Sequence, residues 1–218
     1  MAWGQATFIH DVPGKNNRTF SLGGGGRTTA ELAKLVASAK EDILIQSPYL
    51  VMSSKARALF KQALARGVRV RINTNSLAST DNLQAFSGYR NQRCQLLKMG
   101  IAVYEFKPDT ANRQKLTARV GMLATPPVFA LHAETLVVDG ESTYIGTFNL
   151  DPRSENLNTE VGVVVRDPVF ARRVQTAIEE DMLPANSWNA TEEPDQYVPL
   201  TKRGKVRLWQ LLPLKPLL

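Results

Sequence analysis

Short apolar segments of two different periodicities alternate along the first half of this chain. Residues 42–46 and 68–74 carry apolar and β-branched side chains, which are typical of buried strands. Between them, apolar residues recur at helical spacing and a glycine follows: Ala56, Leu59, Phe60, Ala63, Leu64 and Gly67. Strand, helix and strand in succession form a βαβ unit, which joins parallel strands. We therefore predict an α/β fold with a mixed, mostly parallel sheet flanked by helices on both faces.

The same patterns extend over most of the chain. Further strands are predicted at residues 6–10, 101–106, 132–138, 142–148 and 160–165. Thr28 with Glu31 fits a capping box, which predicts that a helix starts there. Asp167 followed by Pro168 predicts the start of another helix, and a third is predicted over residues 89–99. At 218 residues, these elements suit one domain, residues 1–218.

Three segments carry no regular pattern. Residues 13–27 include four consecutive glycines and predict a flexible loop. Residues 107–127 predict a long loop, which either covers a substrate entrance or is simply solvated. Residues 184–218 predict a tail that is basic and then apolar. This tail either lies on an anionic bilayer or packs against this domain or a missing half.

The composition favours an anionic partner. The net charge is +7 and the isoelectric point is near 9.7, which suits nucleic acid, an anionic membrane surface or a phosphorylated substrate. A single cysteine, Cys94, excludes an intramolecular disulfide and a cysteine-based zinc site. No apolar run is long enough to span a bilayer and no signal-peptide pattern is present, so we expect a cytoplasmic protein.

The chemistry-bearing residues lie between positions 131 and 160. His132 and Glu134 belong to a predicted strand, and alternate side chains of a strand share one face. The imidazole and the carboxylate are therefore expected to reach one pocket together, as a nucleophile beside an anion.

These residues resemble the HxK(x)4D(x)6GSxN signature of the phospholipase D superfamily. The matching positions are His132, Glu134, Asp139, Gly146, Thr147 and Asn149. The following residues, 149–154 (NLDPRS), are typical of its bacterial cardiolipin synthase branch. Residues 47–49, 66–70, 74–81, 88–89 and 100–105 are also similar to the C-terminal half of bacterial cardiolipin synthases, so the resemblance covers nearly the whole chain.

The resemblance implies a role for each matching residue. In such proteins two halves each give one motif to a shared site. One histidine attacks phosphorus and carries a phosphohistidine intermediate, and the other serves as acid and base. By position, His132 is the nucleophile or the acid/base, Asp139 orients a histidine, and Asn149 donates to a phosphate oxygen. Thr147 offers a hydroxyl contact and Glu160 a carboxylate near the histidine pair. The resemblance implies no metal and no cofactor.

Glu134 departs from the pattern, because it stands where the family has lysine. At an effective dielectric constant of about 20, two unit charges about 4 Å apart interact by roughly 4 kcal/mol. Replacing attraction by repulsion is therefore expected to weaken phosphate binding or turnover by several powers of ten. We expect a phosphatidyl-transfer enzyme of the cardiolipin synthesis type that Glu134 impairs.

The chain contains one motif where two are needed. We expect either a homodimer or a missing N-terminal half, a phospholipid substrate, and a peripheral location at the inner face of a bacterial membrane. One alternative is a single-motif homodimer that cleaves nucleic acid. Another is a phosphate- or membrane-binding module without turnover.

Two further interpretations concern the histidines of the chain. His132, Glu134, Asp139 and Glu160 could compose a divalent metal site instead, since imidazole and carboxylates suit such ions. The family pattern explains Asp139 without a metal, and no metal is expected. The second histidine, His10, lies in an unrelated context and is expected to be structural.

Overall fold

The computed structural model describes residues 5–15, 25–110 and 129–211. It contains eight strands: β1 (Gln5–His10), β2 (Asp42–Gln46), β3 (Arg69–Asn75), β4 (Ala102–Phe106), β5 (Glu134–Val138), β6 (Ser142–Gly146), β7 (Val161–Arg166) and β8 (Ser187–Asn189). The α-helices are α1 (Arg27–Ser38), α2 (Ser54–Ala65), α3 (Leu83–Lys98), α4 (Pro152–Asn156), α5 (Pro168–Met182) and α6 (Leu200–Gln210). Two 3₁₀ turns, Ala190–Glu192 and Pro194–Tyr197, lie between β8 and α6.

The described strands form one mixed sheet in the order β1-β7-β6-β5-β2-β3-β4-β8. Only the β2–β3 and β3–β4 pairs are parallel, and the other five pairs are antiparallel. The prediction of a mixed α/β sheet is confirmed, but its mostly parallel character is wrong. A short turn joins β5 to β6, and such a turn can connect only antiparallel strands. Asp139 and Gly140 in this turn have φ of 54° and 61°, as the tight turns of hairpins require.

Helices cover both faces of the sheet, as predicted. On one face, Val36 of α1 and Phe60 of α2 join the cluster that contains Ile43 and Leu136. On the other face, Ile178 of α5 packs in the cluster with Leu44 and Val137. Alternate residues of β2 and β5 therefore serve different clusters, which is the period of a strand buried on both sides. Each large apolar side chain that is fully buried contributes about 1.5–3 kcal/mol to folding.

Two helix starts differ from their predictions. The third helix begins at Leu83, not at residue 89, because Asn82 caps it with bonds from the N–H groups of Gln84 (3.1 Å) and Ala85 (3.0 Å). The capping box predicted at Thr28 is not formed. Its hydroxyl donates instead to the carbonyl of Glu160 at 3.2 Å, and Gly26 is the N-cap residue.

Residues 184–211 pack against the domain, which is one of the alternatives predicted for the C-terminal segment. Strand β8 pairs with β4, and α6 packs on α3. Asp195 joins this segment to α3 through ion pairs with Arg90 (2.5 Å) and Arg93 (2.7 Å). Residues 212–218 lie outside the described part of the chain, as do most of the two predicted loops, residues 16–24 and 111–128. No helix in the described ranges is long and apolar enough to cross a membrane.

Candidate active site

His132 and Glu134 lie where β5 begins, at the edge of the sheet that the C-terminal ends of β2 and β3 also reach. The regular strand starts at Glu134, two residues later than predicted. His132 is exposed and Glu134 is half-buried, whereas the preceding Leu131 is buried. The imidazole is therefore open to a reactant, and the segment that carries it is anchored in the interior.

Asn149 meets Glu134 at this edge. Its Nδ2 donates to Oε1 of Glu134 at 3.4 Å, and its backbone N–H donates to Oγ of Ser154 at 3.1 Å. The Oδ1 atom of Asn149 is buried and has no hydrogen-bond partner among the described residues. The amide that the motif would use for a phosphate oxygen is therefore bonded to the carboxylate at the lysine position.

The electrostatics place four motif residues in one neighbourhood. Burial raises the pKa of the Glu134 carboxyl above its usual value, and the charge of Glu160 raises it further. The His132 imidazole and the hydrogen bond from Asn149 act in the opposite direction without cancelling the rise. His132, Asn149 and Glu160 thus all influence the Glu134 carboxyl group, and Asn149 contacts it directly at 3.4 Å.

Thr147 is tied to Glu160 rather than free to donate. Its hydroxyl gives a short hydrogen bond to the Glu160 carboxylate and accepts from the N–H of Val161 at 3.1 Å. The backbone N–H of Thr147 donates to the carbonyl of Val161 at 3.0 Å. The Thr147 hydroxyl thus orients Glu160, which is only 3% exposed, toward the site.

Asp139 lies at the other end of β5, away from this cluster. Its carboxylate accepts from the backbone N–H groups of Lys40 (3.0 Å), Glu41 (2.9 Å) and Asp42 (2.9 Å). These bonds lower the pKa of Asp139 although burial alone would raise it. At about 3.3 Å per residue, β5 separates Asp139 from Glu134 by roughly 16 Å. Asp139 therefore stabilises the turn before β2. It does not contact His132.

Comparison with known proteins identifies the family of this chain. A family described as "Cardiolipin synthase, PLD-like domain" matches residues 32–182, more than half of the chain. The chain belongs to the phospholipase D-like domain family of cardiolipin synthases. Cardiolipin synthase C of Escherichia coli strain K12 is 30% identical to this phospholipase D-like domain over 239 aligned positions, covering 100% of this chain and 49% of that protein. The chain spans a third to a half of the length of such curated relatives.

Solved structures share the fold of the phospholipase D-like domain. Phosphatidylserine synthase of Haemophilus influenzae Rd KW20 superposes with a TM-score of 0.64 and 16% identity, over 98% of this chain and 47% of that one. Nuc of Salmonella typhimurium, a phospholipase D family member, superposes with a TM-score of 0.58 and 16% identity, over 84% of this chain and 99% of that one. At such identities the likeness establishes the fold alone.

The alternative metal site is not assembled in this domain. The proposed set needs Asp139, which lies at the far end of β5. Within residues 5–15, 25–110 and 129–211, no group of three or more histidine, cysteine, aspartate or glutamate side chains could hold a metal ion. His10 is exposed on β1, with Nδ1 3.1 Å from the carbonyl oxygen of Asp11 and its ring stacked on Phe8.

Asp11 supports the site from a distance and was not recognised in the sequence. It is 2% exposed and its carboxylate accepts from the N–H groups of Thr28 (2.9 Å) and Glu160 (3.1 Å) and from Lys15 (2.6 Å). A Cβ at Gly26 would collide with this carboxylate, so only glycine fits there. Asp11 thereby fixes the backbone that carries Glu160. No local pattern marks this role, because the backbone groups that Asp11 holds, at Thr28 and Glu160, lie 17 and 149 residues away.

Tyr144 also supports the site. Its hydroxyl donates to the carbonyl of Val161 at 3.2 Å and accepts from the N–H of Phe148 at 3.4 Å. Its ring lies against Gly146 and Gly162, where any Cβ would collide with it. Tyr144 thus holds the turn that presents Thr147 and Asn149.

The two sequence stretches around residues 47–51 and 148–154 hold each other in place. Oγ of Ser47 accepts from the N–H of Leu150 at 3.0 Å, and the N–H of Val51 donates to the carbonyl of Leu150 at 2.7 Å. Asp151 caps α4 by accepting from the N–H of Ser154 at 2.7 Å. These contacts explain why both stretches accompany the motif: together they fix the loop that follows Asn149.

Proposed function

We propose that this domain supplies one half of a phosphatidyl-transfer site, with His132 as the nucleophile or the acid/base, and that Glu134 impairs it. The observation that carries the proposal is the convergence of His132, Glu134 and Asn149 at one edge of the sheet, with Asn149 bonded to Glu134 at 3.4 Å. An exposed imidazole beside an amide donor suits attack on a phosphodiester. The membership in the cardiolipin synthase family supports the phosphatidyl group as the substrate class.

The proposed reaction has two steps. With His132 as nucleophile, its ring nitrogen forms a bond to phosphorus, the P–O bond to the leaving alcohol breaks, and a second histidine gives that alcohol a proton. The incoming alcohol then passes its proton to the second histidine and attacks phosphorus, which breaks the N–P bond. Asn149 donates to a phosphate oxygen in both steps.

Glu134 opposes this reaction in two ways. Its negative charge repels the phosphate that the motif lysine would attract. Its carboxylate also accepts the hydrogen bond from Asn149 Nδ2, which the phosphate would otherwise receive. The raised pKa of Glu134 fits a carboxylate that is partly removed from water and lies near Glu160. We therefore propose weak phosphate binding and low turnover at neutral pH.

The second histidine has to come from another copy of this chain or from the rest of a longer protein. Support for a partner comes from Ile145 and Val161, which lie on one face of the neighbouring strands β6 and β7 and are 43% and 38% exposed. Neighbouring apolar side chains that are exposed suit an interface. Sedimentation of the chain over a concentration range measures self-association, and Ile145→Asp is expected to weaken it.

We also propose a peripheral membrane position, with α6 as the contact. Leu200, Leu208 and Leu211 are 77%, 65% and 80% exposed, and Arg207 lies on the same side of the helix. Apolar and basic side chains on one helical face suit a bilayer of anionic lipid. The inner bacterial membrane stays the location predicted from the sequence.

Vesicle sedimentation tests the membrane contact. The paired change Leu208→Asp and Leu211→Asp is expected to reduce binding to phosphatidylglycerol vesicles. Val169→Asp is the control, because Val169 is 51% exposed on another helix. Equal sedimentation of all three proteins would remove α6 from the proposal.

The central experiment exchanges the charge at position 134. Glu134→Lys is expected to strengthen vanadate binding by about tenfold or more, and the gain should shrink as salt rises. Glu141→Lys is the matched control, because it makes the same charge change on an exposed residue of the β5–β6 turn. Equal gains in the two variants would mean that position 134 does not face the anion.

Turnover discriminates between the function classes. In mixed phospholipid vesicles with a second motif available, Glu134→Lys is expected to raise the formation of transferred phospholipid. His132→Ala in that background is expected to abolish it, together with any acid-labile phosphoenzyme. Nicking of supercoiled plasmid without lipid transfer would favour the nuclease alternative. Vesicle binding without either reaction, in every variant, would favour the non-catalytic module.

A further inference from the structure

A cavity of about 340 Å³ lies between α1, α2 and the sheet. Its wall is mostly apolar and includes Leu32, Val36, Leu59, Phe60, Leu136 and Phe148. This volume falls within the usual range for ligand pockets, roughly 300–1,000 Å³, and far exceeds the roughly 30 Å³ of one water molecule. Protein interiors are close-packed, so an apolar space of this size calls for an occupant.

The cavity reaches the motif at Glu134. Glu134 lines it at the start of β5, and so do Leu150 and Asp151, which directly follow Asn149 in the chain. Glu134 points from the same face of β5 as Leu136, which lies deeper in the wall. Glu134 therefore joins the motif to a space whose wall is mostly apolar.

We propose that this cavity binds one hydrocarbon chain of the phospholipid whose phosphate lies beside His132 and Asn149. The inference rests on the proposed function and names the part of the substrate that the motif does not contact. A phosphate ester with an apolar chain matches the motif and the adjoining apolar wall at once. Nucleic acid does not match, because its sugar and phosphate groups would lose water against aliphatic side chains without gaining hydrogen bonds.

If a hydrocarbon chain fills the cavity, the affinity of a ligand should depend on the length of its chain. Burial of one methylene group contributes about 0.8 kcal/mol, which corresponds to an about fourfold tighter dissociation constant. Monoalkyl phosphates of increasing length, kept below their micelle concentration, are therefore expected to bind about fourfold tighter per added methylene until the cavity is filled. Inorganic phosphate has no chain, so its affinity reports on the phosphate site alone.

Two substitutions on α2 distinguish binding in the cavity from effects at the protein surface. Ala56 lines the cavity, and Ala58 is exposed and lies about 200° around the same helix. Ala56→Phe fills the space and is expected to flatten the chain-length series while leaving the affinity for inorganic phosphate unchanged. Ala58→Phe is expected to keep the full series. Calorimetric titration of each folded variant, checked by circular dichroism, gives both quantities.

Binding of 1-octanol tests the cavity without any phosphate. The wild-type protein and Ala58→Phe are expected to bind it, and Ala56→Phe is not. Should Ala56→Phe fail to fold, Ala33→Phe fills the same cavity from α1. Equal chain-length dependence in filled and control variants, or none in the wild-type protein, overturns the inference. The proposed function fails separately, if Glu134→Lys leaves phosphate affinity unchanged while the chain-length series persists.

Discussion

The side chain of Asn75 holds the backbone of Leu131 through both of its polar groups. Nδ2 of Asn75 donates to the Leu131 carbonyl at 2.9 Å, and Oδ1 accepts from the Leu131 N–H at 2.8 Å. Asn75 is the last residue of β3 and is 2% exposed, and Ser79 donates a further hydrogen bond to its Oδ1 at 3.2 Å. Since His132 directly follows Leu131, Asn75 fixes the point from which the imidazole projects.

We expect Asn75→Ala to loosen the segment that carries His132. It removes both bonds to Leu131 and leaves buried backbone groups unpaired, which costs about 1–3 kcal/mol per group. Urea unfolding measures the loss of stability. The chain has only two histidines, so the His132 ring signals are readily resolved by NMR, with His10 as an internal reference.

Asn75→Asp is the informative comparison for this prediction. It keeps an acceptor for the Leu131 N–H but places an oxygen against the Leu131 carbonyl. Broadening of the His132 signals in both variants, with sharp His10 signals, is the expected result. If stability falls while His132 signals are unaffected, Asn75 is a structural residue and does not position the imidazole.

A second prediction separates the structural role of Asp139 from the histidine-orienting role that the sequence suggested. Asp139→Ala is expected to destabilise the fold by about 1–3 kcal/mol, because three backbone N–H groups lose their acceptor. Asp139→Asn keeps an acceptor oxygen and tolerates the positive φ of 54°, so it should cost less. The NMR signals of the His132 ring at pH 7 are expected to be the same in all three proteins. A change of these signals in Asp139→Asn would restore the orienting role.

The pH dependence follows from the sign of the shift at Asp139. Its pKa in the folded state is lowered below the ordinary value of 3.8. The stabilising contribution is therefore present above pH 3.8 and is lost as the pH falls through the folded-state pKa. Urea unfolding at pH 7 and near pH 3 should thus show a smaller difference between wild type and Asp139→Ala at the lower pH.

Local periodicity predicted which segments are strands and helices, but not which strands pair. Residues 42–46 were predicted without error, because five consecutive residues of β2 are buried and the pattern is unambiguous. The antiparallel pairing of β5 with β2 is set by packing between segments about ninety residues apart in the sequence, which no window of sequence contains. The N-cap at Asn82 was missed because the apolar side chains at the start of the helix it opens do not follow one clear helical period.

In the site, too, local spacing could be predicted from the sequence, whereas contacts between distant segments could not. His132 and Glu134 were predicted to share a face because they are two residues apart on a strand, which is a local rule. The strand period alone also implies that Asp139 ends the same strand, and its distance from His132 could have been predicted on that basis. Asn75 and Asp11 could not be predicted, because their buried partners lie 56 and 149 residues away.

A third prediction concerns the attachment of the C-terminal segment. Asp195 is 4% exposed and bonds to Arg90 and Arg93, and Arg93 also lies 2.8 Å from the buried carboxylate of Glu105. Asp195→Asn leaves these guanidinium groups without a full counter-charge, and breaking a buried ion pair typically costs about 3–5 kcal/mol. Limited proteolysis is expected to cleave first in the segment from β8 to α6.

Glu193→Gln is the control for Asp195→Asn, because it neutralises an exposed carboxylate two residues away. Burial would raise the pKa of Asp195, but the hydrogen bonds and charges of Arg93 and Arg90 more than offset this and lower it. Its contribution is therefore present above the ordinary pKa of 3.8 and is lost as the pH falls through the folded-state value. Equal proteolysis of both variants at pH 7 would contradict the proposed attachment.

The last prediction uses pH to test whether Glu134 faces the anion. Its pKa is raised above 4.5, so protonation removes its negative charge at a higher pH than for an ordinary glutamate. Sulfate stays fully charged over this range, so its binding reports on the protein alone. Wild type should bind sulfate more weakly than Glu134→Gln above the folded-state pKa of Glu134, and the two affinities should converge below it. Linkage adds a second readout: the raised pKa stabilises the fold below pH 4.5, and this contribution is lost as the pH rises through the folded-state value. Glu134→Gln should therefore gain stability relative to wild type between pH 4 and pH 7, whereas Glu141→Gln on the exposed turn should not. A constant ratio of sulfate affinities across this range would show that Glu134 lies outside the anion site.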